Sequence, residues 1–249
     1  MVPPIDRDPS VALVTGAANG IGRAVAERLR DDGFVVIGLD LEPFELAGVI
    51  TQQCDVANVE GHPDLIAQIE RDHGPVTALA NVAGIFVPMP VADLDPEIYR
   101  KMLSVLLDGP IFLARAAGLR MALRGSGRIV NVTSIHASHG EQASLAYDTA
   151  KAGLEAATRT LAIELGPQGV LVNAVQPGFV RTRMSIVDGH DELDGEWFRS
   201  IYLENGKLPL RRAAEPSEIA ATISHLLSAD NTYVTGASIV VDGGLTVTF

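Results

Sequence analysis

Short apolar runs alternate with longer amphipathic stretches along most of the chain. Apolar runs that end at glycine or at polar side chains are typical of buried strands. We assign strands to residues 11–14, 34–39, 49–53, 76–80, 128–132, 169–175 and 238–241. Helical patterns lie between them, at residues 24–30, 63–73 and 147–165, and they also begin at Pro96 and Pro216. Because strands and helices alternate, an α/β fold is predicted, with a parallel sheet covered by helices on both faces.

Element ends and one irregular segment add detail to this prediction. Asp95 precedes a proline and is expected to cap the helix that starts there. The longest helix is expected to end near Leu165, because a glycine and a proline follow. Regularity is lost over residues 183–207, where aromatic side chains stand among charged ones. Long irregular insertions in compact domains are usually functional or disordered, and aromatic residues argue against disorder, so we interpret this segment as a substrate lid.

Composition and charge fit a single domain, residues 1–249, that recognises a small molecule. Apolar residues make up 47% of the chain and charged residues 20%, and no repeat or linker divides it. The net charge of −12 argues against binding to nucleic acid or to an anionic membrane. The N-terminal residues show no secretory signal, and no stretch has the ~18 continuous apolar residues of a membrane helix, so we expect a cytoplasmic protein.

Metal and disulfide chemistry are not expected. Cys54 is the single cysteine, which excludes an internal disulfide and a multi-cysteine metal site. The six histidines are scattered and show no metal-ligand spacing.

A glycine-rich turn between the first strand and the first helix is a candidate nucleotide site. Gly16, Gly20 and Gly22 are its glycines, with Asn19 and Ile21 between them. Such a turn presents backbone N–H groups and the positive end of a helix to a pyrophosphate, and glycine removes side chains that would block its approach. A glycine-rich loop alone is a weak signal, so its context matters.

Asp40 provides that context. It ends the second apolar run, at the distance from the loop where a dinucleotide fold places an acid for the adenosine ribose. Its carboxylate can accept hydrogen bonds from the ribose hydroxyls of NAD but repels the 2′-phosphate of NADP. Asn19 and Leu41 occupy positions that are usually basic in NADP-binding proteins. NAD is therefore preferred over NADP, and the alternative is an acid that merely ends a strand.

Tyr147 and Lys151 form a candidate acid-base pair. They stand four residues apart in a helical pattern, so both side chains lie on one face. Lowering a tyrosine pKa from ~10 by ~3 units requires ~4 kcal/mol of preferential stabilisation of the phenolate. A lysine charge at ~4 Å supplies about that much at an effective dielectric of ~20. Ser134, just past a strand, is then expected to hold the substrate oxygen. The alternative is an ordinary amphipathic helix surface.

Together these residues resemble the short-chain dehydrogenase/reductase family in its compact single-domain form. The motifs stand in family order over nearly the whole chain. They are Thr15-Gly16-x-x-x-Gly20-Ile21-Gly22, Asp40, Asp55-Val56, Asn81-x-Ala83-Gly84, Ser134, Tyr147-x-x-x-Lys151, Asn173, Pro177-Gly178, Thr182 and Asp242-Gly243-Gly244. The resemblance implies a Rossmann-type, doubly wound sheet of seven parallel strands that binds a nicotinamide dinucleotide.

The resemblance also implies residue roles and an assembly. Ser134 would orient the reacting oxygen, Tyr147 would transfer its proton, and Lys151 would bind the nicotinamide ribose. The implied cofactor contacts are Gly16, Asn19, Gly20, Ile21 and Gly22 at the pyrophosphate, Asp40 and Leu41 at the ribose, Asp55 and Val56 at the adenine, Asn81, Ala83 and Gly84 at the cleft floor, and Pro177, Gly178, Val180 and Thr182 at the nicotinamide end. A homotetramer or homodimer is expected.

One position departs from the family pattern. Leu106 stands where the family usually has an asparagine whose backbone carbonyl holds a proton-relaying water near the lysine. A leucine keeps the carbonyl but loses the side-chain anchor. Pro110 has no N–H to donate to the carbonyl four residues earlier. We therefore hypothesise that Pro110 leaves the Leu106 carbonyl free and preserves the water site.

The substrate is indicated by fewer residues. His136 follows Ser134 in a Ser-Ile-His sequence similar to the Ser-Val-His of sugar-oxidising family members, and Gln142 lies on the same polar loop. These residues favour a sugar or polyol. Phe179 and the aromatic residues of the lid suit an apolar ketone instead, and a packing role for His136 is the alternative.

The sequence thus predicts an NAD-dependent oxidoreductase that interconverts a secondary alcohol and its carbonyl, with Tyr147 as acid and base. Two alternatives stay open. One is an NAD-binding scaffold or sensor with weak turnover, which Leu106 favours. The other is a lyase or epimerase, because a fold alone does not fix the reaction. Net NADH formation from an alcohol would exclude both.

Overall fold

One parallel sheet runs through the computed structural model, which describes residues 10–187 and 189–248. Within that range the sheet has seven strands: β1 (Val11–Thr15), β2 (Val35–Asp40), β3 (Ile50–Gln53), β4 (Val76–Asn81), β5 (Gly127–Val132), β6 (Val170–Pro177) and β7 (Ser238–Val241). Their order is β3-β2-β1-β4-β5-β6-β7, and every neighbouring pair is parallel. The predicted doubly wound fold is confirmed. The expectations for residues 1–9 lie outside the described range.

Six helices of eight or more residues cover the sheet in the described chain. They are α1 (Gly20–Asp31), α2 (His62–His73), α3 (Pro96–Leu103), α4 (Gly109–Arg124), α5 (Leu145–Leu165) and α6 (Pro216–Leu227). Apolar residues of α1 and α6 pack with Ala12 and Val14 of β1, whereas those of α2, α4 and α5 pack with Val11 and Leu13. Alternate β1 residues therefore face opposite layers, which explains why the strand is apolar throughout.

The order in which successive strands are added to the sheet reverses between β1 and β4. Strands β2 and β3 lie on one side of β1, and β4 to β7 lie on the other. Ligands of open α/β sheets bind at the carboxyl ends of the strands at such a switch point. The fold therefore places the glycine-rich turn, which follows β1, at the edge of the sheet where a ligand site is expected.

Helix ends follow the predicted signals. The Asp95 carboxylate accepts hydrogen bonds from the backbone N–H groups of Glu97 (2.7 Å) and Ile98 (3.0 Å), so it caps α3 as expected. Helix α5 ends at Leu165, where a glycine and a proline follow.

Helices α3 and α4 are continuous through a π-helical turn at Ser104–Asp108. Among the described residues, this run, Pro96–Arg124, is long and apolar enough to cross a membrane by length and composition alone. Half of its most apolar window is buried, and Leu113 and Ala117 lie in the core beneath the sheet. The apolar character of the run is therefore explained by its packing against the sheet.

The segment at residues 183–207 is irregular, as predicted, but it has a core of its own. It contains short helical turns and a small antiparallel pair formed by Ile186–Val187 and His190–Asp191. Its buried side chains pack with residues that follow it in the chain; the cluster comprises Leu193, Phe198, Tyr202, Leu208, Ala213 and Leu245. The segment is thus a packed subregion beside the sheet edge, with Asp188 outside the described range.

Candidate active site

Tyr147 lies in the first turn of α5 and faces the loop that follows β5. Its ring packs edge to face against Phe86, with centroids 5.3 Å apart, and against His136, with centroids 5.5 Å apart. The Ser134 hydroxyl interacts with the Tyr147 phenol. Ser134 is buried, and its hydroxyl oxygen also accepts a hydrogen bond from the His136 backbone N–H at 3.2 Å. The tyrosine and serine predicted from sequence therefore meet at one point.

Lys151 lies one turn further along α5 and is almost completely buried. Its exposed fraction is 4%, and its Nζ donates a hydrogen bond of 2.7 Å to the carbonyl oxygen of Val132. The same Nζ lies 5.5 Å from the centroid of the Tyr147 ring. Burial lowers the pKa of Lys151 to about 8, because removing the ammonium from water disfavours its charged form.

The structure corrects one expectation about Tyr147. Burial raises the pKa of Tyr147 to about 12, the Ser134 hydroxyl opposes that rise, and the Asp148 carboxylate adds to it. We expected the Lys151 charge to be sufficient to lower this pKa, and for the protein alone that expectation is wrong. The desolvation of the phenol outweighs the lysine, whose ammonium is directed at Val132 and is itself disfavoured by burial.

The glycine-rich turn joins β1 to α1 in a tightly packed conformation. Gly16 has a φ of +70°, a left-handed conformation that favours glycine. A Cβ on Gly22 would lie 2.1 Å from the Gly16 carbonyl oxygen, so only glycine fits there. The Asn19 side chain does not cap α1, which leaves the helix start open to an anion. Ile21 packs against the core, so it helps to fix the turn.

Asp40 joins this turn to the end of β2. Its carboxylate accepts hydrogen bonds from the backbone N–H of Ala18 at 3.0 Å and from that of Glu42 at 3.2 Å. Leu41 is exposed, and no basic side chain occupies its position. A fixed acid beside a left-handed glycine turn at a helix start fits an adenosine ribose and a pyrophosphate, so these residues suit a dinucleotide.

The motifs after β3 and β4 are held in place by hydrogen bonds between side chains and the backbone. The Asp55 carboxylate accepts the Ala57 N–H at 2.9 Å, and Val56 is buried. The Ala83 N–H donates to the Thr15 hydroxyl at 3.0 Å, which holds the loop after β4 against β1. Gly84 lies against the Leu106 side chain.

The Asn81 side chain is directed into the protein interior. Its amide nitrogen donates to the Pro110 carbonyl oxygen at 3.1 Å and to the Asn131 side-chain oxygen at 2.9 Å. The Asn131 amide in turn donates to the Thr158 hydroxyl at 2.9 Å. Any contact between Asn81 and a dinucleotide must therefore come from its backbone. Asn131 and Thr158 were missed in the sequence, where an asparagine within the apolar run before Ser134 was the available signal.

Leu106 sits inside the π-helical turn. The Gly109 N–H donates to the Ser104 carbonyl, five residues earlier, in place of the usual four. The Leu106 side chain is buried in a cluster with Met102, Ala146 and Ala150. The turn thus shifts the backbone register at the position that departs from the family pattern, and it ends at Asp108, two residues before Pro110.

The loop after β6 brings further predicted residues to the same edge. The Gly178 N–H donates to the Val241 carbonyl at 3.1 Å, which joins the Pro177-Gly178 motif to β7. Val180 is buried and pairs with Ala214 in an isolated bridge. The Thr182 side chain lies against Gly20, so this loop reaches the glycine-rich turn.

The predicted substrate residues occupy different surroundings. His136 contacts Tyr147, as described above, whereas Gln142 is exposed on the loop. The Phe179 ring packs on Phe198 and Tyr202, with centroids 5.0 and 4.7 Å away, so it belongs to the packed segment beside the site. Asp148 was not selected as a site residue in the sequence, although its adjacency to Tyr147 was an available signal.

Comparison with known proteins identifies relatives over almost the whole chain. The family model described as enoyl-(acyl carrier protein) reductase matches residues 16–246. Human dehydrogenase/reductase SDR family member 4 is 33% identical over 96% of this chain and 89% of its own length. Galactitol 2-dehydrogenase (L-tagatose-forming) of Cereibacter sphaeroides is 34% identical over 96% of each chain. The ligand-free structure of Thermoplasma acidophilum aldohexose dehydrogenase has a TM-score of 0.88 and 30% identity, and the match covers 97% of this chain and 95% of that chain.

Proposed function

The chain belongs to the short-chain dehydrogenase/reductase family, and from that premise we propose that it is an NAD-dependent oxidoreductase acting on secondary alcohols or their carbonyls. The observation that carries this proposal is the meeting of Ser134, Tyr147 and Lys151 at the sheet edge that also holds the glycine-rich turn. Oxidoreductase activity of the family supports the reaction class. We assign the proton transfer to Tyr147.

A nicotinamide dinucleotide bound at this edge supplies the hydride acceptor for oxidation or the hydride donor for reduction. Ser134 holds the substrate oxygen by hydrogen bonding. At neutral pH the Tyr147 phenol keeps its proton in the free protein, since its pKa is about 12. It can therefore donate that proton to a carbonyl oxygen during reduction. Oxidation requires the phenolate, and the positive charge that accompanies an oxidised nicotinamide would favour it.

We assign NAD as the preferred cofactor because of Asp40. Its carboxylate lies at the end of β2, fixed by the Ala18 and Glu42 backbone, where a 2′-phosphate would meet negative charge.

We also infer a sugar or polyol substrate. The names of two relatives, a galactitol dehydrogenase and an aldohexose dehydrogenase, support that class, and so does the polar His136 beside Tyr147.

We further infer a homotetramer or homodimer. Leu123 on α4 is 89% exposed and Ile163 on α5 is 75% exposed. Large apolar side chains on adjacent outer helices are favourable sites for subunit contact.

The test is NADH formation, followed by absorbance, from NAD and from NADP with a panel of sugars, polyols and secondary alcohols. The reverse panel includes ketones and an enoyl thioester, since the matching family model carries that description. We expect turnover with NAD and an alcohol, and a loss of about 10²- to 10⁴-fold in Tyr147→Phe. Tight NADH binding without turnover on any substrate would instead favour a scaffold or sensor. Conversion of a substrate without net NADH would favour a lyase or epimerase.

A further inference from the structure

His136 and Asp148 form a hydrogen-bonded pair on one side of Tyr147. The His136 Nδ1 and the Asp148 Oδ1 are 2.7 Å apart, and both side chains are mostly buried. The second Asp148 oxygen accepts the Glu141 backbone N–H at 3.3 Å. The carboxylate is thus held between α5 and the loop after β5, which fixes the orientation of the imidazole.

This pairing decides which imidazole nitrogen carries the proton. An ionised carboxylate only accepts hydrogen bonds, so the neutral His136 ring must place its proton on Nδ1. Its Nε2 is then an acceptor without a proton. Among the described residues, Nε2 has no hydrogen-bond partner of its own.

The His136 imidazole lies at the same site as Tyr147 and Ser134. The His136 ring stands at 88° to the Tyr147 ring, with centroids 5.5 Å apart. The His136 backbone is tied to the Ser134 hydroxyl at 3.2 Å. A substrate oxygen held by Ser134 and Tyr147 therefore places the neighbouring atoms of the substrate beside His136.

We propose that His136 Nε2 accepts a hydrogen bond from a second hydroxyl group on the carbon next to the reacting carbon, and that Asp148 is the positioning residue that keeps Nε2 an acceptor. The substrate class is a vicinal diol in oxidation and the corresponding hydroxyketone in reduction. This inference rests on the proposed function, because it concerns the same site. It adds a specificity determinant that the Ser134, Tyr147 and Lys151 set does not contain.

The kinetic test compares 2,3-butanediol with 2-butanol, which lacks the second hydroxyl. The measured quantity is the ratio of kcat/KM for the diol to kcat/KM for the monohydric alcohol. We expect the ratio to fall roughly tenfold in His136→Phe, which keeps a ring against Tyr147 but removes the acceptor. The matched control is His139→Phe, since the His139 Nδ1 contacts Ser138 and Ile135 instead of the pair, and it should keep the wild-type ratio. An equal loss for both alcohols in His136→Phe would overturn recognition of a second hydroxyl.

The role of Asp148 has a test that needs no turnover. Nitrogen NMR of the histidine side chains distinguishes the two neutral tautomers, and His136→Phe identifies the His136 signals. We expect a protonated Nδ1 in the wild type and a mixture of tautomers in Asp148→Asn, whose amide can accept or donate. A proton on Nε2 in the wild type would overturn the proposal. If the enzyme oxidises another vicinal diol of the panel instead, the same ratio is measured with that diol and its deoxy analogue. If no alcohol of the panel is oxidised, the proposed function fails, while the NMR result still decides the role of Asp148.

Discussion

The Nζ of Lys151 lies 2.7 Å from the carbonyl oxygen of Val132, the last residue of β5. This hydrogen bond connects the helix that carries Tyr147 to the strand that leads into Ser134. Because Val132 and Ser134 are two residues apart, this hydrogen bond joins α5, which carries Tyr147, to the chain close to Ser134. Lys151 therefore has a structural role in the free protein that is separate from any contact with a cofactor.

The burial of Lys151 predicts a pH-dependent stability. Its pKa is about 8 in the folded protein and 10.5 ordinarily, so the unfolded chain binds more protons between these values. The free energy of unfolding should therefore rise with pH across this window, by up to about 3 kcal/mol from this group. Tyr147 acts in the opposite direction only above its ordinary pKa of 10.0, because its folded-state pKa is raised.

The measurement is urea unfolding at pH 7.5 and at pH 9.5. Lys151→Met should lose the gain that the wild type shows between the two pH values. Lys101→Met is the matched control, because Lys101 is exposed, and it should retain the wild-type gain. The same gain in Lys151→Met and in the wild type would contradict the assignment.

Asp40→Asn should change the cofactor preference. The substitution keeps a side-chain oxygen for the Ala18 N–H but removes the negative charge that faces a 2′-phosphate. We expect NADP binding to strengthen by roughly tenfold relative to NAD binding, since a charge-assisted interaction contributes about 1.5–3 kcal/mol. Fluorescence titration with NADH and NADPH measures both dissociation constants. Asp31→Asn removes an exposed charge from the end of α1 and serves as the control; a similar shift there would indicate a general charge effect.

Pro110→Ala tests the register of the π-helical turn. Alanine supplies an N–H that can donate to the Leu106 carbonyl four residues earlier, which favours a regular α-helical register over the π turn. If a free Leu106 carbonyl supports proton transfer, kcat should fall by roughly tenfold, within the range of general acid-base effects, while NADH binding is kept. Pro96→Ala, at the start of α3, is the control proline and should keep wild-type turnover. Wild-type kcat in Pro110→Ala would contradict the hypothesis that Pro110 keeps the Leu106 carbonyl free for proton transfer.

Gly22→Ala should damage the nucleotide loop. The added Cβ would lie 2.1 Å from the Gly16 carbonyl oxygen, and a backbone atom can move away only if the turn deforms. We expect a loss of about 1–3 kcal/mol in the free energy of unfolding and weaker NADH binding. Thermal unfolding and NADH titration measure these effects.

In Gly166→Ala the added Cβ meets no atom within 4 Å and φ is −57°, so this control should be nearly neutral. Wild-type stability and binding in Gly22→Ala would argue against a tightly closed turn.

The sequence by itself determined the order and type of the main elements. Continuous apolar strands such as β1 are buried on both faces, and their composition indicates this burial directly. The glycine-rich turn and the Tyr147 to Lys151 spacing were also readable, because they depend on local geometry: φ at Gly16 and one turn of α5. The alternation of elements then located both features at one edge of the sheet.

Only the tertiary structure decided the surroundings of these residues. The raised pKa of Tyr147 depends on how completely neighbouring elements remove water from the phenol, which no spacing records. The inward direction of the Asn81 side chain depends on Pro110 and Asn131, both far away in the sequence. The pairing of His136 with Asp148 likewise needs a loop and a helix to pack together. Local pattern fixes which elements form, whereas desolvation and long-range hydrogen bonds are set only when those elements meet.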